Sequence, residues 1–250
     1  MTLTLPRCEP RFGRLKCPAM SLDRRHEITR LEAFSDAVFA FALTLLVVSL
    51  EVPRSYHELM ALVRGFVPFA CCFALLVWIW YEHSHFFTKY PLRDRAAVVM
   101  NGMLLFVVLF YVYPLKYVFT QLFAFLQPEA RAATEGITPT ELANIFVIYG
   151  AGFAAVFFLF GALYRHAWRR RQALGLTAAE ALDVRLAMGA QLLSGLIGTT
   201  AAFWALVTPR SYLLVSISGY LYSLMGPAHA LYGRWARRQR EAFAARGWKK

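Results

Sequence analysis

Charge is scarce in this chain, and negative charge scarcer still: Asp, Glu, Lys and Arg make up 17% of its 250 residues, and only 15 of them are acidic. That is thin cover for a domain wrapped in water on every side. Cysteine is nearly absent as well. Cys8, Cys17, Cys71 and Cys72 show no metal-ligand spacing, and two of them fall inside an apolar run, so they read as free thiols. No GxSxG, HExxH or P-loop pattern occurs, which leaves no catalytic constellation and no expectation of an enzyme or a bound cofactor. Also missing are an internal repeat and a Gly/Ser- or Pro-rich linker, which leaves one domain. The first 29 residues are basic and lack the apolar stretch of a secretory signal, so they predict no cleaved leader.

What is present is apolar. Hydrophobic residues make up 58% of the chain, aromatics 16%, and the mean hydropathy is +0.45. A helix needs about 20 apolar residues to cross a bilayer core. Six runs approach that length, at roughly 33 to 52, 62 to 84, 97 to 120, 143 to 165, 186 to 207 and 211 to 231. The third contains Pro114, which removes a backbone hydrogen bond and predicts a kink, and the last two are separated only by a TPRS turn. The expected architecture is all-α: a six-helix membrane domain over 30–232, a basic segment at 1–29 and a basic tail at 233–250.

The cations fall between the runs in a pattern. Of 27 Lys and Arg, 22 lie in the segment through Arg30, the 86–96 and 165–185 loops, and the tail from Arg234. In a six-span protein those four segments share one side, and the positive-inside rule makes that side cytoplasmic, with both termini there. A multi-pass protein of the cell (inner) membrane is expected. The net charge of +12 is therefore a matter of topology and lipid attraction, and the RWARRQR tail reads as an anchor with no nucleic acid as partner.

The first run opens with polar residues that a plain span would leave in water. Arg30, Ser35 and Asp36 sit at the start of RLEAFSDAVFAFALTLLVVSL. A carboxylate near the end of an apolar helix costs several kcal/mol unless it is paired. Spans one and two run antiparallel around a turn near residue 57, which puts Asp36 level with Trp78 and Arg30 level with Ser84. The WIWYEHSHF end of span two thus brings Trp78, Trp80, Glu82, His83 and His85 to the same depth. Arg30 alone can be explained by snorkelling, and the tryptophans alone by an interfacial belt. Together with the serine, aspartate and histidines they predict a hydrogen-bonded network fixing the helix ends. Farther along, Phe41, Leu45 and Val48 form one face with Thr44 beside it. An apolar stripe of this kind packs against lipid or another helix. It becomes a conduction path only where copies surround an axis and the apolar ring gates ions by dewetting.

Arg30 followed by Phe34, Ser35 and Asp36 is an RxxxFSD motif at the start of a first span. With the WYEHSHFF, NGMLLFVVLFYVYPL and YRHAWRRR segments, it resembles the bacterial branch of the transmembrane protein 175 family, the endosomal and lysosomal potassium channels. The resemblance runs over nearly the whole chain. It implies a homotetramer with first helices lining a central pore, without the TVGYG filter, which this sequence also lacks. It implies a hydrophobic constriction at Phe41, Leu45 and Val48, with Thr44 near the narrow part. It further implies that Arg30, Phe34, Ser35 and Asp36 hold the helices together through Trp80 and His83. Phe41 stands where the family carries isoleucine or leucine.

The function expected is a passive, potassium-preferring, modestly selective cation channel whose partners are its own copies, monovalent cations and the bilayer. A dry apolar ring offers no set of oxygens to replace one ion's hydration shell. The alternative is a proton-coupled or secondary transporter using Asp36, Glu82, His83 and His85 as a relay, although these groups lie near one membrane face and away from the midplane. A haem protein with His83, His85 and His166 as ligands is disfavoured, because His83 and His85 point about 200° apart around a helix.

Overall fold

Three helices begin at the same four-residue signal. Thr29, Thr138 and Thr177 each precede a helix, and each hydroxyl accepts from the backbone N–H of the glutamate three residues on. Glu32, Glu141 and Glu180 in turn accept from the threonine N–H groups, closing reciprocal capping boxes. The computed structural model of the protein describes residues 29–50, 52–123, 136–208 and 211–247. The expectations for Cys8, Cys17 and the basic head before Thr29 lie outside the described residues.

Every regular element among the described residues is helical. In chain order they are α1 (Arg30–Val48), α2 (Tyr56–Arg64), α3 (Phe66–Lys89), α4 (Arg95–Leu122), α5 (Pro139–Arg169), α6 (Ala178–Val207), α7 (Tyr212–Leu221), a 3₁₀ turn (Tyr222–Leu224) and α8 (Met225–Gly247). Among the described residues, α1, α3, α4, α5 and α6 are the 5 helices long and apolar enough to cross a membrane. α4 runs on through Pro114. Residues 211 to 231, expected as a sixth regular span, are broken by the 3₁₀ turn. Pro227 supplies the reason. It has no N–H for the carbonyl of Ser223, and its ring crowds that carbonyl, so it is tolerated only in the first turn of a new helix. α8 then continues without interruption past residue 233, where the tail was expected to begin. The short α2 between α1 and α3 was not anticipated as a separate element.

The core joins Phe39, Ala42 and Leu46 of α1 to Cys72 and Leu76 of α3, Leu104, Val108 and Val112 of α4, and Val156 and Phe160 of α5. α5 and α6 are antiparallel and approach at their small residues. A Cβ on Gly150 would stand 2.8 Å from both Ala202 Cβ and Gly198 O, so glycine here lets two backbones meet, as membrane helices do at small side chains. The turn between them passes through Gly175 at φ 64°, a left-handed conformation that suits glycine. One end of the molecule gathers the charges. Asp94 before α4 bonds His166 Nε2 at 2.7 Å and reaches Arg170 at 3.5 Å, while Arg240 of α8 donates to Asp183 of α6 at 2.7 Å. Arg171 stacks 4.6 Å over the Trp168 ring. The loops rich in Lys and Arg are thereby tied to one another.

Candidate functional site

α1 has two unlike faces. Ser35, Phe39, Ala42 and Leu46 are buried against α3 and α4. On the opposite side Phe34, Ala37, Phe41, Thr44 and Val48 recur every three or four residues, and all are exposed: Phe34 by 59%, Phe41 by 56% and Val48 by 70%. They fall on one stripe along the helix. Thr44 lies within this stripe, its hydroxyl donating back to Ala40 O at 2.8 Å. Leu45 is half-buried at the edge of the stripe, about 40° around the helix from Phe41. The exposed side chains of the stripe are thus Phe34, Ala37, Phe41, Thr44 and Val48, and the stripe overlaps the Phe41, Leu45 and Val48 face, with Thr44 beside it, expected from the sequence. Phe34, expected in the polar fastening, projects from this stripe as well.

The polar start of α1 is held by two separate sets of bonds. Trp80 Nε1 of α3 donates to Asp36 Oδ1 at 2.8 Å on the exposed side. On the buried side, Ser35 Oγ donates to Leu31 O at 2.8 Å, which leaves its lone pair to accept from Asn101 Nδ2 at 2.9 Å. Asn101 Oδ1 is therefore an acceptor, and the 2.6 Å contact with His83 Nε2 requires the ring proton on that nitrogen. The bonds then run in one direction from His83 through Asn101 and Ser35 to the α1 backbone. His83 is 1% exposed, between Phe39 at 5.4 Å and Phe87 at 4.7 Å. Its Nδ1 has no hydrogen-bond partner among the described residues. A bare lone pair in an apolar cage is easier to tolerate than a bare N–H, which agrees with that tautomer.

Asn101 is the residue that sequence reasoning missed. It lies in the NGMLL segment at the depth of Ser35, and an amide in an otherwise apolar run was the available signal. Arg30 departs from expectation: it is exposed, and its guanidinium has no partner among the described residues, so the indole and not the arginine answers Asp36. Between the two histidines, His83 joins the network and His85 stacks on Tyr81 at 6.1 Å. Glu82 faces Gln191 of α6 at 3.5 Å. The proposed relay groups Asp36, Glu82, His83 and His85 thus have different partners, and among the described residues no direct hydrogen bond joins any two of them.

These features define a class: a multi-pass, all-helical membrane protein whose first span is fastened by polar bonds on one face and left open along the other. The sequence model of the family described as "Endosomal/lysosomal potassium channel TMEM175" matches residues 30–111, the part of the chain that builds this site. A protein of Marivirga tractuosa named "Potassium channel" is 37% identical over 223 residues, covering 84% of this chain and 88% of that one. A second, "Potassium channel Cha6605_3372" of Chamaesiphon minutus, is 31% identical over 149 residues, 56% of this chain and 66% of the other. Among solved structures, the crystal structure of a variant of the potassium channel MtTMEM175, in complex with a nanobody fusion, superposes with a TM-score of 0.74 at 34% identity, over 86% of this chain and 96% of that chain. The chain belongs to the TMEM175 family.

Proposed function

We propose that this protein is a potassium channel, conducting passively along a pathway lined by α1. It is not an enzyme. The observation that carries the reading is the two-faced first helix. Its buried face is locked to α3 and α4 by Ser35, Asn101 and His83, while Phe41, Thr44 and Val48 stand exposed in line, uncovered by any of the described residues. Four copies around an axis would turn these stripes inward and cover them. Phe41 and Val48 would then form dry rings that gate by dewetting, and the Thr44 hydroxyls would be the polar step between them. Leu45, half-buried at the edge of the stripe, would border the same ring. Cation preference in such a pore is modest. Arg30, Phe34, Ser35, Asp36, Trp80 and His83 frame the pore without conducting, and residues 30–232 form the channel domain between basic flanks. The clustered cationic loops support both termini on the cytoplasmic side of the cell membrane. The transporter alternative is not favoured, because its four groups have different partners.

Purified protein in liposomes tests this. Potassium flux down its gradient should persist when the pH gradient is clamped and should change on Phe41→Ala. Flux that stops when the pH is clamped would return the transporter.

A further inference from the structure

Lys116 lies on α4 two residues past Pro114, and it touches α1 at the end opposite Asn101. Its ammonium donates to Ser49 O at 2.9 Å and to Ser49 Oγ at 2.7 Å. Ser49 is the C-cap of α1, its own N–H bonded to Leu45 O. The last turn of α1 contains no basic side chain, so a neighbouring helix supplies the cation that its terminal carbonyls attract. α4 therefore grips α1 twice, through Asn101 at Ser35 and through Lys116 at Ser49. These ties are fourteen residues apart on α1 and fifteen on α4, about 21 and 22 Å at the rise of an α-helix, so two parallel helices are pinned at matched heights. Between the pins, Pro114 withholds an N–H from the carbonyl of Phe110 and weakens α4 as a rigid rod. Packing does little for the Ser49 end. A cavity of about 340 Å³ lies beside it, bounded by Leu50, Leu62, Pro68, Phe69 and Lys116.

We propose that Lys116 is a positioning residue for conduction: its bonds to Ser49 hold the end of α1 back from the pathway axis. Without them, the apolar stripes ending at Val48 draw together across the axis and expel water, which favours the closed state. The proposal rests on the reading that α1 lines the pathway. It would assign a role in opening to a lysine that otherwise looks like a snorkelling membrane cation.

Single-channel recording of the full chain in planar bilayers tests both levels separately. Lys116→Met should lower open probability at least about tenfold, the population shift expected from losing its two charge-assisted hydrogen bonds to Ser49, with unitary conductance and reversal potential unchanged. Lys116→Arg, which can still donate to both oxygens, should restore open probability to within about twofold of the parent. Ser49→Ala should lower it by about threefold alone and add nothing to Lys116→Met, since the two act through one contact. A parent-like open probability in Lys116→Met, failure of Lys116→Arg to rescue, or additive effects of the pair overturns the tie. If Lys116→Met does not assemble, an unchanged Ser49→Ala overturns it instead. Phe41→Ala is the control for the underlying reading. A changed unitary conductance there keeps α1 in the pathway whatever Lys116 does, and an unchanged one removes the pathway assignment itself.

Discussion

Asn101 carries two hydrogen bonds that hold three helices at one point. Replacing it by leucine leaves the His83 N–H and the Ser35 lone pair buried without partners, and each such group costs about 1–3 kcal/mol. Asn101→Leu should therefore destabilise the protein by about 3 kcal/mol, seen as a lower thermal midpoint in detergent. Trp80→Phe removes only the indole bond to Asp36, which lies on the exposed side, and should cost about 1 kcal/mol by the same measurement. If Trp80→Phe proved as harmful as Asn101→Leu, the buried chain of bonds would not be the main fastening.

A helix with one locked face and one free face makes unequal demands on its residues. Phe41 projects from the exposed stripe of α1 and Leu45 is half-buried at its edge. Phe41→Ala should raise potassium flux in liposomes several-fold by widening a dry ring. Leu45→Ala should raise flux as well, but by less, because Leu45 is half-buried at the edge of the same stripe. A larger effect at Leu45 than at Phe41 would put the constriction at Leu45. The α5/α6 pair makes a different demand, close backbone approach at Gly150 and Gly198. Gly150→Val inserts carbon where 2.8 Å is available and should cost about 1–3 kcal/mol in thermal stability without altering the ion preference of the protein that still folds.

The whole molecule has a fixed side and an open side. α3, α4, α5 and α6 are braced against one another, and their charged ends are tied through Asp94 to His166 and Arg170 and through Asp183 to Arg240. These last pairs are partly exposed, and Asp183→Asn should shift the thermal midpoint little, by less than about 1 kcal/mol in stability terms. The stripe on α1 is left exposed by the described residues. Native mass spectrometry in detergent should return a tetramer, and a monomer or dimer in the membrane would leave Phe41 and Val48 facing lipid.

Much of this was legible in the residues. Apolar runs long enough for a bilayer, the RxxxFSD start and the placement of the WIWYEHSHF end of the second span near the depth of Asp36 follow from composition and helical rise, because burial in lipid constrains every position of a span. The break at Tyr222–Leu224 was legible too, in Pro227, although the apolar run concealed it. Which residue answers which partner was not legible. Depth alone left Arg30, Trp80, His83 and His85 as equal candidates for Asp36, and rotation about each helix axis selected Trp80. Hydropathy likewise could not tell Thr44 from Leu45 as a lining residue, since adjacent positions differ by about 100° of rotation. The sequence by itself determined that α1 crosses a membrane and begins with a polar fastening. Only the tertiary structure decided which face of α1 is fastened, because Asn101 and Lys116 come from a helix more than fifty residues away and fix its rotation at both ends.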